Sequence, residues 1–409
     1  MDTLATVDDR LLLSEKIIIN LKRLFQETDT MSNDTITSGL QLRSLVTEDG
    51  HLKLFLKSAP VPEPGEDEVV VRIEATPINP SDQMTLIIPA DVTTGETTGT
   101  GADTTYTAKL RKGIESRVKP RVGKPLAAGN EGAGTVVKAG SSDAAQALLG
   151  KTVAVLDGAL YCQYRKVNVM QCMTLNEGTT AREAASCFVN PLTALGFVET
   201  MRMEGHKAII HTAAASNLGQ MLNRICLNDG IDLINIVRKK EQAELLKAQG
   251  AKYVCNSSDD TFMADLTAAI EETGAYIAFD ATGGGNLGSH ILGCMEKAAL
   301  KGDQHPGPYG STTFKQLYIY GGLDMSPTVL NRNFGFSWGI NAWLLTPFTQ
   351  KVGLEKTMEL RQRVANELHT TFASHYSDEI SLTEALDKDI VAAYSQQATG
   401  RKFLINPSK

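Results

Sequence analysis

The chain has 409 residues, 42% of them hydrophobic and 21% charged, with a formal net charge of −7. That length can bury a sizeable core and divide into two domains, and the acidic balance excludes the basic stripe of a nucleic-acid-binding protein. No apolar run approaches the ~20 residues that cross a bilayer, and LLLSEKIIIN (11–20), interrupted by Ser14, Glu15 and Lys16, is not a signal-peptide core.

Residues 1–40 read as an N-terminal extension with a short amphipathic helix around 13–25, ahead of Met31. From residue 42 the pattern turns to strands. LRSLV, the acidic-Gly turn TEDGH and LKLFLK read as a hairpin. Pro62, Pro64 and Gly65 form a turn before VVVRIEA, which alternates as a strand. Residues 83–125 are polar, Thr/Gly-rich and without period, which predicts a long irregular segment. Strand character resumes over 125–140, 152–156 and 159–169, and residues 181–201 predict one helix, kinked at Pro191 by the missing backbone donor.

Beyond residue 206 strands and helices alternate. KAIIHT, IDLINIV, KYVCN, AYIAFD and KQLYIYGGLD are near-continuous apolar strands. Between them lie amphipathic helices such as LGQMLNRICLNDG, whose Leu218, Leu222, Ile225 and Cys226 share one face. This is the signature of a parallel sheet covered on both faces, a doubly wound Rossmann-type region. The final strand, KFLIN, can return to the first, β-rich part. The fold class is therefore α/β.

The loop HTAAASNLGQ (211–220) follows the first parallel strand and opens a helix, which is where a pyrophosphate binds. Ala213, Ser216 and Gly219 stand where such loops often carry three glycines. Ala and Ser suffice for close approach if no residue there needs φ > 0, and Ser216 adds a hydroxyl. After the second parallel strand an acidic residue usually marks NAD; here Arg238, Lys239 and Lys240 suit a 2′-phosphate, hence NADPH. Cys162, Cys172, Cys187, Cys226, Cys255 and Cys294 form no CxxC pair and read as buried, reduced thiols of a cytoplasmic protein. His211 reads as a strand-end residue satisfied by backbone, and Glu131 as a turn-stabilising carboxylate. The stretch FGFSWGINAWLL (334–345) reads equally as core and as subunit interface.

Taken in order, PEPGEDEVVVRIEATPINPSD (62–82), GNEGAG (129–134), NPLTALG (190–196), AAASNLG (213–219), LLKAQGA (245–251), FDATGGG (279–285) and ATGRKFLINP (398–407) resemble one family. It is the zinc-independent quinone oxidoreductase branch of the medium-chain dehydrogenase/reductases. The resemblance implies a GroES-like β-rich catalytic domain over 41–190, a Rossmann dinucleotide-binding domain over 191–345 and a C-terminal segment, 346–409, completing the first. It implies a homodimer, with a quinone or α,β-unsaturated carbonyl as substrate. Asn79 and Asp82 would line the substrate side. Asn190 and Thr193 would orient the nicotinamide. Ala213, Ala214, Ala215, Ser216, Asn217, Leu218 and Gly219 would hold the pyrophosphate, and Gly283, Gly321 and Gly322 would border the cofactor.

The chain departs from the superfamily's zinc enzymes. It has INPSD where they carry a catalytic Cys, Asn130 where they carry a His, and Val189 at the third ligand position, with Cys187 nearby; the four-cysteine structural lobe is missing. No metal is expected, since a catalytic zinc needs three converging ligands. Many relatives place a Tyr shortly after Asn-Pro; here QMTL follows, and Tyr106 is the substitute proton donor considered. Residues 83–125, directly after INPSD, are expected to form a mobile flap over the substrate pocket. The competing expectation is a non-catalytic NADPH-binding redox sensor or structural protein of the same fold.

Overall fold

The computed structural model describes residues 37–302, 307–397 and 399–409. The helix expected over 13–25 lies outside them, as does all but the end of the expected extension. Among the described residues no helix is long and apolar enough to cross a membrane.

The first part is β-rich. Strands Ser38–Val46 and His51–Pro60 form the expected hairpin, antiparallel from Ser38↔Pro60 to Val46↔Leu52, with Gly50 at φ 80° in the turn. They belong to a five-stranded antiparallel sheet completed by Glu96–Thr98, Thr105–Lys109 and Leu126–Ala127. A second, seven-stranded sheet centres on Glu68–Pro77, which pairs with Glu131–Ala139, Tyr164–Asn168 and the C-terminal strand Phe403–Ile405. KFLIN thus does return to the first part of the chain.

The second part holds a six-stranded parallel sheet in the order Tyr253–Asn256, Asp232–Val237, Ala208–His211, Ile277–Asp280, Lys315–Ile319 and Trp338–Ala342. The chain starts in the middle, runs to one edge and restarts toward the other, so the order reverses between Ala208–His211 and Ile277–Asp280. A ligand crevice opens at the carboxyl ends of the strands at such a reversal. Both faces are covered, which is why the strands carry apolar residues on both sides. Ile209 and Phe279 pack under Phe197, Met221, Leu222 and Leu360 of three helices. On the other face Ile210, Ile234 and Ala278 meet Leu266, Ile270, Ile291 and Met295. A GroES-like β-rich domain joined to a doubly wound Rossmann-type domain is the fold.

Three expectations are corrected. The helix expected over 181–201 is two helices, Ala181–Ala184 and Val189–Met203. Pro191 does not kink the second, because it lies in the first turn, where no intrahelical partner awaits its nitrogen. The stretch 334–345 divides: Phe334 and Trp343 are core, while Phe336 is 81% exposed. The third correction is the largest. Residues 83–125 are not an irregular flap. They carry the helix Pro80–Leu86 onward, two strands of the five-stranded sheet and short 3₁₀ turns. TYTAK (105–109) alternates, with Tyr106 and Ala108 inward and the threonines outward. Thr97 Oγ1 donates to Leu386 O at 2.7 Å, fastening the segment to the C-terminal part.

Tyr106 is completely buried beside Leu54, Leu86 and Tyr394, and its hydroxyl has no partner among the described residues. It packs so closely on Gly95 that a Cβ there would lie 2.2 Å from the hydroxyl. Tyr106 is therefore a core residue and not a proton donor to a crevice. Tyr106→Ala should destabilise the chain by about 3 kcal/mol, as large aromatic-to-alanine core changes do. Tyr106→Phe, which removes only an unpaired hydroxyl, should fall within about 1 kcal/mol of wild type. Urea denaturation checks both, and a cost for Tyr106→Ala under 1 kcal/mol would return the segment to the status of a dispensable flap.

Candidate active site

The crevice at the sheet reversal is built from two strand ends tied together. Thr212 Oγ1 donates to Asp280 Oδ1 at 2.7 Å and accepts the Ala281 N–H at 2.8 Å. Asp280 also takes the N–H groups of Thr282 and Gly283, at 2.8 and 3.0 Å. From this anchor the loop 213–216 turns into the helix Asn217–Asp229. Ser216 caps it, its Oγ accepting from Gly219 N at 3.1 Å, and Gly230 ends it at φ 67°. Gly219 has no alternative: a Cβ would lie 2.2 Å from Ala214 O. The condition set for Ala and Ser here, that no residue takes a positive φ, is not met, since Ala213 sits at φ 50°. Small residues nonetheless leave the backbone and the positive helix start accessible to an anion.

Arg238, Lys239 and Lys240 follow the strand Asp232–Val237, all three exposed. Among the described residues none of the three makes an ion pair. Gln242 Oε1 accepts the backbone N–H groups of Arg238 and Lys239, at 3.1 and 3.2 Å, holding this corner in place.

On the other wall Gly283 and Gly321 are each required by neighbouring backbone: a Cβ on Gly283, at φ 75°, would lie 2.6 Å from Gly321 O, and one on Gly321 equally close to Ala281 O. Two crevice loops therefore pack backbone against backbone, and Gly283–Gly285 also pairs with Asp324–Thr328. At Gly322 a Cβ would meet only Met325 S at 3.7 Å, so nothing there demands glycine. His211 is buried, and its Nε2 pairs with Tyr320 OH at 2.8 Å rather than with backbone. Burial pushes its pKa down to about 3, so the ring is neutral.

On the β-rich side the structure gathers Asn79, Asp82, Asn130, Glu131 and the start of the helix Val189–Met203. Asp82 caps the turn, its carboxylate accepting Asn79 N and Asn130 N at 2.8 Å each. Burial, reinforced by the charge on Glu131, pushes its pKa up to about 7 against those two bonds. Asn79 Nδ2 donates to Glu131 Oε1 at 2.7 Å, and Glu131 Oε2 accepts Phe188 N and Val189 N at 2.8 Å. Glu131 thereby joins INPSD to the helix that carries Asn190 and Thr193, both buried. Asn130, where a zinc ligand would stand, gives its amide to Ser81 Oγ. Val189 has no ligating atom on its side chain. Cys187 is wholly buried, which raises its thiol pKa. Among the described residues no three His, Cys, Asp or Glu side chains converge on one point.

Sequence reasoning did not single out Lys402, Ser186 and Tyr376. Ser186 Oγ lies 2.8 Å from both Lys402 Nζ and Tyr376 OH, behind Glu131. The available signal was a lysine leading directly into the apolar strand FLI.

Gly219→Ala should lower affinity for any dinucleotide at least tenfold. The new methyl must displace the Ala214 backbone, an overpacking that costs about 1–3 kcal/mol in stability. Titration with the nucleotide and thermal unfolding check this; unchanged affinity would remove the loop from the binding site.

Residues 65–209 match the alcohol dehydrogenase GroES-like domain. The chain is 26% identical over 196 residues to the mitochondrial enoyl-(acyl-carrier-protein) reductase of Caenorhabditis elegans, covering 47% of this chain and 49% of that protein. It spans about half the length of the curated relatives it matches. Among solved structures it shares the fold of a candidate NADPH:quinone reductase of Mesorhizobium loti, with TM-score 0.67, 24% identity and coverage of 90% and 98% of the two chains. It shares it also with a mycobacterial protein solved in complex with NADPH, with TM-score 0.59, 19% identity and coverage of 90% and 100%. Residues 65–209 thus carry a GroES-like domain of the alcohol dehydrogenase type, the chain shares the full-length fold of these solved structures, and the side chains of Asn130 and Val189 stand where the zinc enzymes of that fold hold their metal.

Proposed function

We propose that the chain is an NADPH-dependent oxidoreductase that reduces a quinone or an α,β-unsaturated carbonyl. The observation that carries this is the crevice itself: a helix start behind a close-approach loop, flanked by exposed basic residues without carboxylate partners. When bound, the dihydronicotinamide supplies the hydride.

The residues divide the remaining work. The backbone of Ala213–Gly219 and the helix start hold the pyrophosphate. Ser216 Oγ is occupied as an acceptor by Gly219 N–H, which leaves its proton free to donate. Arg238 and Lys239 hold the 2′-phosphate. Asn190 and Thr193, on the helix positioned by Glu131, orient the nicotinamide. Asn79 lines the substrate side, and Asp82 shapes that turn. A delocalised acceptor suits a site whose ligand positions carry Asn130 and Val189, because conjugation spreads the negative charge that arrives with the hydride.

The reading extends to a homodimer in the cytoplasm. The strand Trp338–Ala342 pairs on one side only, and Tyr309, Phe314 and Phe336 are 70%, 50% and 81% exposed. An open sheet edge next to apolar side chains suits pairing with a second copy. All six cysteines are free and buried, which suits a reducing compartment.

NADPH should bind at least tenfold tighter than NADH, because each charge-assisted bond to the 2′-phosphate contributes about 1.5–3 kcal/mol. Arg238→Ala should remove most of that preference. In a turnover panel of quinones and enones, reduction should proceed with NADPH and persist in the presence of a chelator. Equal affinity for the two cofactors, or activity that chelation abolishes and zinc restores, would overturn the reading.

A further inference from the structure

The two ends of the Asn79 amide have different surroundings. Nδ2 donates to Glu131 Oε1 at 2.7 Å, whereas Oδ1, equally buried, has no donor among the described residues. A carboxylate only accepts hydrogen bonds. While Glu131 is ionised, the amide can therefore meet it only through the NH2, and the carbonyl must face away.

Burial raises the Glu131 pKa on balance, but the hydrogen bonds around it fit the ionised form. Its other oxygen takes two backbone N–H groups, so every hydrogen bond its carboxylate makes is with a donor. Lys402 adds a positive charge, with Nζ held by Ser186 Oγ and lying 5.5 Å from the centre of the Tyr376 ring. Burial pushes Glu131 up, while Lys402 and the three donors pull it down. The other titratable groups around the pair are Asp82, Tyr161, Tyr376, Cys187 and Arg182, the last also stacked on the Tyr376 ring. Unpartnered buried acceptors are few in native proteins, and the one on Asn79 calls for a donor that the described residues do not supply.

We propose that Glu131 is a positioning residue that fixes the polarity of the Asn79 amide, so that Asn79 meets the ligand as a hydrogen-bond acceptor for an O–H or N–H of the nicotinamide riboside. This rests on the reading of the crevice as an NADPH site. An acceptor cannot stabilise the oxygen anion formed on reduction of a carbonyl, so Asn79 orients and binds.

The test needs no turnover. NADPH is compared with 2′-phosphoadenosine 5′-diphosphate, which lacks the nicotinamide riboside, by calorimetric titration. Wild type should prefer NADPH. Glu131→Gln should lose at least fivefold of that preference while binding the fragment within twofold of wild type, which also shows that the variant is folded. Asn79→Ala should lose as much, and adding Glu131→Gln to it should cost nothing further, because the first acts through the second. Lys402→Gln keeps every hydrogen bond of Glu131 but removes the opposing charge. At the same pH its preference should fall below that of wild type, because the Glu131 pKa is then no longer held down. Full NADPH preference in Glu131→Gln, or an undiminished effect of that change in the Asn79→Ala background, would overturn the inference. A wild-type chain that binds the fragment as tightly as NADPH overturns it too, while leaving the nucleotide site standing. One that binds neither overturns the nucleotide reading and takes this inference with it.

Discussion

A carboxylate buried away from water must be surrounded by donors or give up its charge. Much of the site is organised by that demand at Glu131. Its two oxygens gather the Asn79 side chain and the backbone of Phe188 and Val189, and Lys402 stands near enough to oppose its charge. These partners come from three stretches of chain: the INPSD turn, the start of Val189–Met203, and Lys402 just before the C-terminal strand. One side chain thus holds the substrate-side turn against the helix that faces the nucleotide domain. Removing any one partner leaves charge uncompensated, whereas the set together is satisfied.

The nucleotide half depends on a different constraint, close approach of backbone. Thr212 and Asp280 lock two neighbouring strand ends, and the loops that leave them run within contact distance of each other at Gly283 and Gly321. Gly219 lets the helix Asn217–Asp229 sit directly on Ala214. A crevice made of backbone amides and a helix start is selective for phosphate but carries little information about what else binds. In the proposed reading the choice between cofactors is left to the exposed residues Arg238–Lys240, and the choice of substrate to the opposite wall.

The parallel sheet was legible because strands buried on both faces are apolar throughout, as in AIIH and IAFD, and the helices between them keep one apolar side. The loop proposed for the dinucleotide could be placed after the first such strand, though its geometry could not: a left-handed Ala213 cannot be inferred from residue type. Residues 96–109 were misread because threonine and glycine suggest a loop, while the alternation in TYTAK, the real signal, spans only five residues. Pro191 was misread because the break at 185–188 gives no sequence mark. The Glu131 network was only partly visible. A buried carboxylate is recognised by its donors, which come from residues 79, 188 and 189, and by the nearby charge of Lys402, and only the tertiary fold brings these together.

The central claim is that this crevice passes a hydride from a reduced nicotinamide to a conjugated acceptor. It is tested most directly by isotope transfer. NADPH carrying deuterium at C4 on one face is incubated with the purified chain and an enone, and the product is analysed by mass spectrometry and NMR. The account expects one deuterium at the carbon β to the carbonyl, from one face of C4 only, with the proton at the α-carbon drawn from solvent. Tight binding of NADPH with no deuterium transferred to any enone or quinone would contradict it, and would leave a nucleotide-binding protein of this fold without its chemistry.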